Sequence, residues 1–240
     1  MHRLLVDPET IESGVCPPPP EAARHLRAVR LKDAELVEFF DGKGTTRAYE
    51  WEASVGVFAA AEEPVFHERR PGGVTLFACV SKGSRWDWTI EKATELGAKR
   101  IVPVLSANTV VRIDSDGREA KRERWEKIAA EAARQSDAAW LPEIAAPVSF
   151  GEAAAEAAKT ACFAGIISDP PPPALLDALE KSGAARDGEL SLFTGPEGDF
   201  SKDEIEKLRS FAHPASFGPS ILRAETAAIF GLSVLTAWRR

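Results

Sequence analysis

Cysteine is scarce in this sequence of 240 residues, and Cys16, Cys79 and Cys162 lie far apart. No pair of cysteines or histidines has the spacing of a zinc-binding motif. The scattered cysteines also give no framework for disulfides. We therefore expect neither a disulfide nor a bound metal.

Long apolar runs are also missing. None approaches the ~18 residues that would cross a bilayer. The N-terminal segment places Asp7, Pro8 and Glu9 where a signal peptide would carry apolar residues. We therefore expect a cytoplasmic protein without a membrane segment.

An excess of positive charge is missing too, since 30 basic residues face 37 acidic ones and the formal net charge is -7. Non-specific nucleic-acid affinity comes mostly from neutralised phosphates, so this balance argues against a general polyanion binder. Cationic contacts must be local, and Arg24, Arg27 and Arg30 recur every three residues in a stretch without acids. On a helix they would share a face, either to bind phosphate or simply to face solvent.

Nucleotide-binding loops are not found either. The G-x-G-x-x-G fingerprint of dinucleotide sites is absent. Residues 42–45 (GKGT) lack the earlier glycine of a phosphate loop and suit a tight turn between strands at 36–40 and 46–57. The first quarter of the chain thus reads as a small β domain.

What is present is enough apolar sequence, 44%, for a packed core. A polar stretch at 62–73 with proline and glycine separates the β-type sequence from α/β-type sequence. After it come a strand at 74–80, a helix at 86–97 and a strand at 101–105. This β-α-β order predicts a parallel sheet.

Further elements follow along the chain. The spacing of apolar residues predicts helices at 121–139, 153–158 and 225–238 and a strand at 162–167. The last helix carries an apolar stripe that we interpret as a core face, with a dimer face as the alternative. The stripe consists of Ala227, Phe230, Val234 and Trp238.

Two glycine- and proline-containing loops organise the second half of the chain. Residues 194–200 (TGPEGDF) and 217–227 (FGPSILRAETA) each follow a short apolar strand and lead into a helix. Ser201 and Glu204 form a capping-box pattern behind the first loop. Such loops build small-molecule sites at strand ends, so we expect one shared pocket, although two ordinary turns would give the same pattern.

These two loops together resemble the signature of the RsmE family, the 16S ribosomal RNA uracil-N-3-methyltransferases of the SPOUT class. The resemblance extends over nearly the whole chain. Its other blocks are residues 3–6, 30–32, 40–42, 82–85, 92–97, 101–103, 131–132, 135–136 and 142.

The resemblance implies a fold and a reaction. Residues 73–240 would form a SPOUT-type trefoil-knotted α/β domain with a parallel sheet, preceded by a small PUA-like β-barrel RNA-binding domain at residues 1–68. The enzyme would use S-adenosyl-L-methionine to methylate N-3 of a uridine in 16S ribosomal RNA, in the small subunit or its precursor. It would act as a homodimer with its active site at the subunit interface.

The resemblance also suggests site residues. Arg223 would stabilise or hold the target base, and Glu225 would hydrogen-bond cofactor or substrate, with an ion pair between the two as the structural alternative. Lys82 and Arg85 would contact RNA together with Arg24, Arg27 and Arg30. The expected cofactor-binding residues are Thr194, Gly195, Pro196, Glu197, Gly198, Phe217, Gly218, Ile221, Leu222 and Thr226.

The sequence departs from the family pattern at four positions. Asp199 stands where the family usually has a glycine, and Asn108, Ala138 and Ser220 stand where it usually has arginine. Fewer cations predict weaker RNA contact. Two alternatives stay open: a SPOUT methyltransferase acting on another RNA such as transfer RNA, and a non-catalytic RNA-binding or ribosome-assembly protein, which the intact loop glycines disfavour.

Overall fold

The computed structural model describes residues 1–19, 31–114 and 116–240. The chain forms two compact units. One contains Met1–Arg69 and Ala130–Leu141, and the other contains Arg70–Ala129 and Pro142–Arg240. Arg24, Arg27 and Arg30, which we predicted to bind RNA, lie outside the described residues.

The first unit is built on a largely antiparallel sheet. Its strands are β1 (His2–Leu5), β2 (Val15–Cys16), β3 (Leu36–Phe40), β4 (Thr45–Glu52), β5 (Val57–Ala60) and β6 (Val65–Phe66), with a short helix α1 at Pro8–Glu12. The order is β1-β3-β4-β5-β2, with β6 on β4, and only the β1–β3 pairing of these described strands is parallel.

The predicted tight turn between β3 and β4 is confirmed. The Asp41 carboxylate accepts hydrogen bonds from the N–H groups of Lys43 at 2.7 Å and Thr45 at 2.9 Å. The predicted second strand, at 46–57, is wrong in extent, because a turn closed by the N–H of Gly56 on the carbonyl of Glu52 separates β4 from β5. A glycine at φ +72° suits this turn.

A buried arginine organises the first unit. Arg3 is 4% exposed, and its guanidinium pairs with Glu38 and lies 4.4 Å from the ring centre of Phe40. It also donates to the carbonyls of Ala133 at 2.9 Å and Ala138 at 3.3 Å. One side chain thus joins the sheet to the 130–141 segment of the same unit.

The second unit is α/β with a parallel sheet, as predicted. Its strands are β7 (Gly73–Cys79), β8 (Arg100–Leu105), β9 (Glu143–Ile144), β10 (Val148–Ser149), β11 (Ala161–Gly165), β12 (Glu189–Thr194) and β13 (His213–Ala215). The order is β10-β8-β7-β12-β11-β13, with β9 on β8, and the pairs are parallel. Helices cover the faces of such a sheet, which explains why its central strands are nearly continuous apolar runs.

The helices predicted at 86–97, 153–158 and 225–238 are confirmed to within three residues, whereas the one predicted at 121–139 begins and ends four residues earlier. Six helices are described after β6. They are α2 (Ser84–Glu95), α3 (Gly117–Gln135), α4 (Phe150–Ala157), α5 (Leu175–Ser182), α6 (Lys202–Arg209) and α7 (Ala224–Trp238). The predicted capping box at Ser201 and Glu204 is confirmed. Within the described ranges, no helix has the length and apolar character to cross a membrane, and no cluster of three metal-binding side chains occurs.

The predicted core face of α7 is confirmed only in part. The side chains buried by this helix are those of Ala228, Leu232 and Leu235, whereas Phe230 of the predicted stripe is 41% exposed. The other stripe residues are half-buried, and Val234 and Trp238 pack against the buried core. Because α7 is apolar on nearly all sides, the spacing of its apolar residues did not distinguish the face that packs on the core from the adjacent face of the helix.

We expect Arg3→Met to lower the free energy of unfolding by about 3 kcal/mol, because it leaves Glu38 and two carbonyl groups without their cationic donor. Chemical denaturation followed by circular dichroism measures this loss. Arg124→Met, which breaks the exposed pair with Asp87, is the control and should cost less than about 1 kcal/mol. Equal losses in the two variants would contradict a special role for Arg3.

Candidate functional site

A cavity of about 550 Å³ lies where three loops meet. The loops follow β12, β11 and β13, which are neighbours in the parallel sheet. Carboxyl ends of parallel strands share one edge of a sheet, so the three loops are brought together by strand order. The volume lies in the range of small-molecule sites.

The loop after β13 is fixed to the loop after β11. The N–H of Ser216 donates to the carbonyl of Pro173 at 2.8 Å, and the N–H of Leu175 donates to the carbonyl of Ser216 at 3.0 Å. The chain then turns at Gly218, whose φ of +125° favours glycine. The Ser216 hydroxyl donates to the Gly218 carbonyl at 3.2 Å and supports the turn.

Phe217 lines the cavity and packs against two glycines. A Cβ atom at Gly165, the last residue of β11, would lie 2.6 Å from the Phe217 ring. A Cβ at Gly231 of α7 would lie 3.2 Å from the same ring. The ring therefore occupies space that any other residue at position 165 would need.

The loop after β12 is held from outside the cavity. The side-chain amide of Asn108 donates to the carbonyls of Gly198 at 3.2 Å and Asp199 at 2.9 Å. Asp199 adopts φ +58°, which is uncommon for a residue with a side chain. Asn108 and Asp199, two departures from the family pattern, thus contact each other in this loop.

Gly195 and Gly198 are constrained by packing behind the loop. A Cβ at Gly195 would lie 3.1 Å from the Phe200 ring, and one at Gly198 would lie 3.2 Å from the Cβ of Asn108. Both glycines therefore allow the loop to pack closely against its own neighbours, and Gly195 also lines the cavity.

Most of the predicted cofactor-binding residues line this one cavity. They are Thr194, Gly195, Pro196, Glu197, Phe217, Gly218, Ile221 and Leu222. Gly198 and Thr226 do not line it. Sequence reasoning missed the loop after β11, which contributes Ile167, Ser168 and Asp169 among others.

Charged side chains give the cavity an uneven lining. Asp169, Glu197 and Asp199 supply carboxylates, and Arg223 supplies a cation. Glu197 accepts a hydrogen bond at 3.2 Å from Arg85, one of the predicted RNA-binding residues. Lys82, the other predicted cation of that segment, is exposed.

The proposed ion pair between Arg223 and Glu225 is not found. Arg223 is the exposed N-cap residue of α7, and in the described part of the chain it forms no ion pair. Glu225 lies in the first turn of α7 and does not line the cavity. Its Oε2 atom is buried and has no hydrogen-bond partner among the described residues.

Thiolate chemistry is disfavoured near the sheet edge. Cys79 ends β7, and burial raises the pKa of its thiol to about 12. Burial also raises the pKa of Cys162 to about 12. Both groups therefore stay protonated at neutral pH, and neither is suited to act as a nucleophile.

Comparison with known proteins identifies the family of this architecture. A family model described as an RNA methyltransferase domain matches residues 68–236. The chain is 32% identical to the ribosomal RNA small subunit methyltransferase E of Synechocystis sp., over 98% of this chain and 77% of that protein.

Solved structures share the fold. A Legionella pneumophila structure in complex with the bound cofactor SAM is 26% identical, with a TM-score of 0.77 over 98% of this chain and 96% of that one. A ribosomal RNA small subunit methyltransferase E from Neisseria gonorrhoeae, bound to S-adenosyl methionine, has a TM-score of 0.82 over 99% of this chain and 97% of that one. At 23% identity the second comparison shows likeness in fold.

Proposed function

Because the chain belongs to the family of ribosomal RNA small subunit methyltransferase E, we propose that it transfers a methyl group from S-adenosylmethionine to N-3 of a uridine in 16S ribosomal RNA. The observation that carries the proposal furthest is the cavity formed by the loops after β11, β12 and β13. The small subunit or its precursor would supply the RNA.

The cavity suits the proposed methyl donor in size and in chemistry. Ile167 and Ile221 line it yet are 55% and 80% exposed, so a flat adenine lying between these loops would bury apolar surface that now faces water. The carboxylates of Asp169 and Glu197 are suited to accept hydrogen bonds from ribose hydroxyls. They also favour a positively charged ligand.

The methyl transfer requires the protein chiefly to align the methyl donor with the uracil and to stabilise the charge on the uracil ring. When bound, S-adenosylmethionine would supply an activated methyl group for an in-line displacement. The chain's own residues must hold the uracil ring nitrogen in line and stabilise the negative charge of the deprotonated ring.

Arg223 is suited to stabilise the uracil, because it lines the cavity, is exposed and is not engaged by a carboxylate within the described residues. Glu225 remains a candidate for a hydrogen bond to cofactor or substrate, since its buried Oε2 has no described partner.

We further propose the domain architecture of the family. Residues 1–68 would form a PUA-like β-barrel that helps to hold RNA, supported by the antiparallel pairing of β3, β4 and β5. Residues 73–240 would form the SPOUT domain with its trefoil knot. The placement of β12 between β7 and β11 shows that the chain returns to the middle of the sheet, which supports this topology.

A homodimer is the proposed assembly. Ile221, in the loop before α7, and Phe230, on α7, have exposed apolar side chains that support a second copy covering this face. Sedimentation velocity of the purified protein decides this point, and a monomer at micromolar concentration would contradict it.

The proposed reaction predicts 3-methyluridine in the small-subunit ribosomal RNA of cells that carry this protein. Deleting the gene should remove the modification at one position, and restoring it should bring the modification back. Base-resolved mapping of ribosomal and transfer RNA measures both outcomes. A modification lost from transfer RNA instead would show that the substrate is a different RNA.

Gly165→Ala should weaken the binding of S-adenosylmethionine by at least about tenfold, because the added Cβ forces the Phe217 ring to move within the cavity wall. Isothermal titration calorimetry measures the affinity. The control is Gly151→Ala in α4, where no atom lies within 4 Å of the added Cβ. Unchanged affinity in a folded Gly165→Ala protein would argue against this cavity as the cofactor site.

Arg223→Ala should reduce the methylation rate by about a hundredfold, the cost of removing one donor that stabilises developing charge. The affinity for S-adenosylmethionine should change by a few fold at most. Arg223→Lys should recover part of the rate, because an ammonium lacks the planar fork of the guanidinium. Arg124→Ala serves as control; a normal turnover rate for Arg223→Ala would remove Arg223 from the mechanism.

A further inference from the structure

A second groove, of about 500 Å³, lies beside the cofactor cavity. Three basic side chains from separate elements line it: Lys181 of α5, Arg209 of α6 and His213 of β13. Ser168 and Pro172 line both the groove and the cavity. We call this feature the basic groove.

The charges of the basic groove are of one sign. The described residues that line it include no aspartate or glutamate. In the described part of the chain, Lys181, Arg209 and His213 form no ion pair, in contrast to basic residues such as Arg85 and Arg100, which pair with glutamates. A positive surface in a chain of net charge -7 must come from such local grouping.

The groove is also built on firm supports. The His213 imidazole stacks on the buried ring of Phe163, with ring centres 5.2 Å apart. The shared wall includes Pro172, whose backbone φ is restricted by its ring. The stacked imidazole and the proline thus give the groove a defined wall beside the exposed cations of Lys181 and Arg209, which can donate charge-assisted hydrogen bonds to an anion.

We propose that the basic groove binds a backbone phosphate of the substrate RNA next to the nucleotide that is methylated. The inference rests on the proposed function: with the base in the cofactor cavity, a strand that leaves across the shared residues Ser168 and Pro172 reaches the groove directly. Arginine offers a planar pair of donors to phosphate, and lysine adds a mobile point charge. Phosphate contacts of this kind set the register of the RNA without reading its sequence.

The test is the salt dependence of RNA binding by Lys181→Ala/Arg209→Ala. Binding of a 16S ribosomal RNA transcript, measured at several potassium chloride concentrations without methyl donor, should lose about two units of salt slope, one for each lost phosphate contact. The methylation reaction should show a raised KM for RNA. Affinity for S-adenosylmethionine, measured by calorimetry, should stay within about twofold because the variant leaves the cavity intact.

The matched control is Lys159→Ala/Lys207→Ala. It removes the same charge from exposed positions, one of them on α6, that do not line the groove. A slope equal to that of the control would overturn the proposal. A loss of binding to assembled small subunits with unchanged binding to the bare transcript would also overturn it, in favour of an acidic protein partner.

The outcomes separate this inference from the proposed function. A lowered salt slope for RNA binding by Lys181→Ala/Arg209→Ala supports the basic groove even if the wild-type protein methylates no uridine. Absence of uridine methylation by the wild-type protein would contradict the proposed reaction alone. Normal methylation by the wild-type protein, together with an unchanged salt slope for RNA binding by Lys181→Ala/Arg209→Ala, would contradict only the proposal that the basic groove binds phosphate.

Discussion

The ring of Phe217 is held between two glycines of different elements, and the cavity depends on this packing. Gly165 ends β11 and Gly231 lies inside α7, and a Cβ at either would come within 3.2 Å of the ring. A glycine within a helix costs up to about 1 kcal/mol relative to alanine. The close approach offsets that cost by fixing the loop after β13 against the sheet and α7, so the cavity wall is formed before any ligand binds.

Features determined by neighbouring residues were predictable from the sequence. The capping box at Ser201 and Glu204 needs only a four-residue pattern. The loops at 194–200 and 217–227 were predictable because glycine and proline follow apolar strands there. The loop after β11 was visible too, as four prolines at 170–173. Its place in the cavity was not, because that depends on β11 lying between β12 and β13.

The same limit applies to charge. Inspection of the sequence identifies candidate RNA-binding cations that are close along the chain, such as Lys82 and Arg85. In the folded structure, however, Arg85 donates a hydrogen bond to Glu197. Lys181, Arg209 and His213 are separated by up to 32 positions and show no pattern in the sequence, but α5, α6 and β13 bring them to one groove. A site whose residues are distant in the sequence, and are brought together only by the order of the strands, could not be predicted from short sequence patterns.

In the proposed reaction two ligands of opposite charge must lie side by side. Asp169, Glu197 and Asp199 line the cavity, where they favour a cationic methyl donor and disfavour phosphate. The basic groove next to it has the opposite preference. Pro172, whose ring restricts its backbone, lines both sites, and the carboxylates line one of them while Lys181 and Arg209 line the other. In the proposed reaction each ligand would have its own side of the wall, and the two would be held together in the alignment that direct transfer requires.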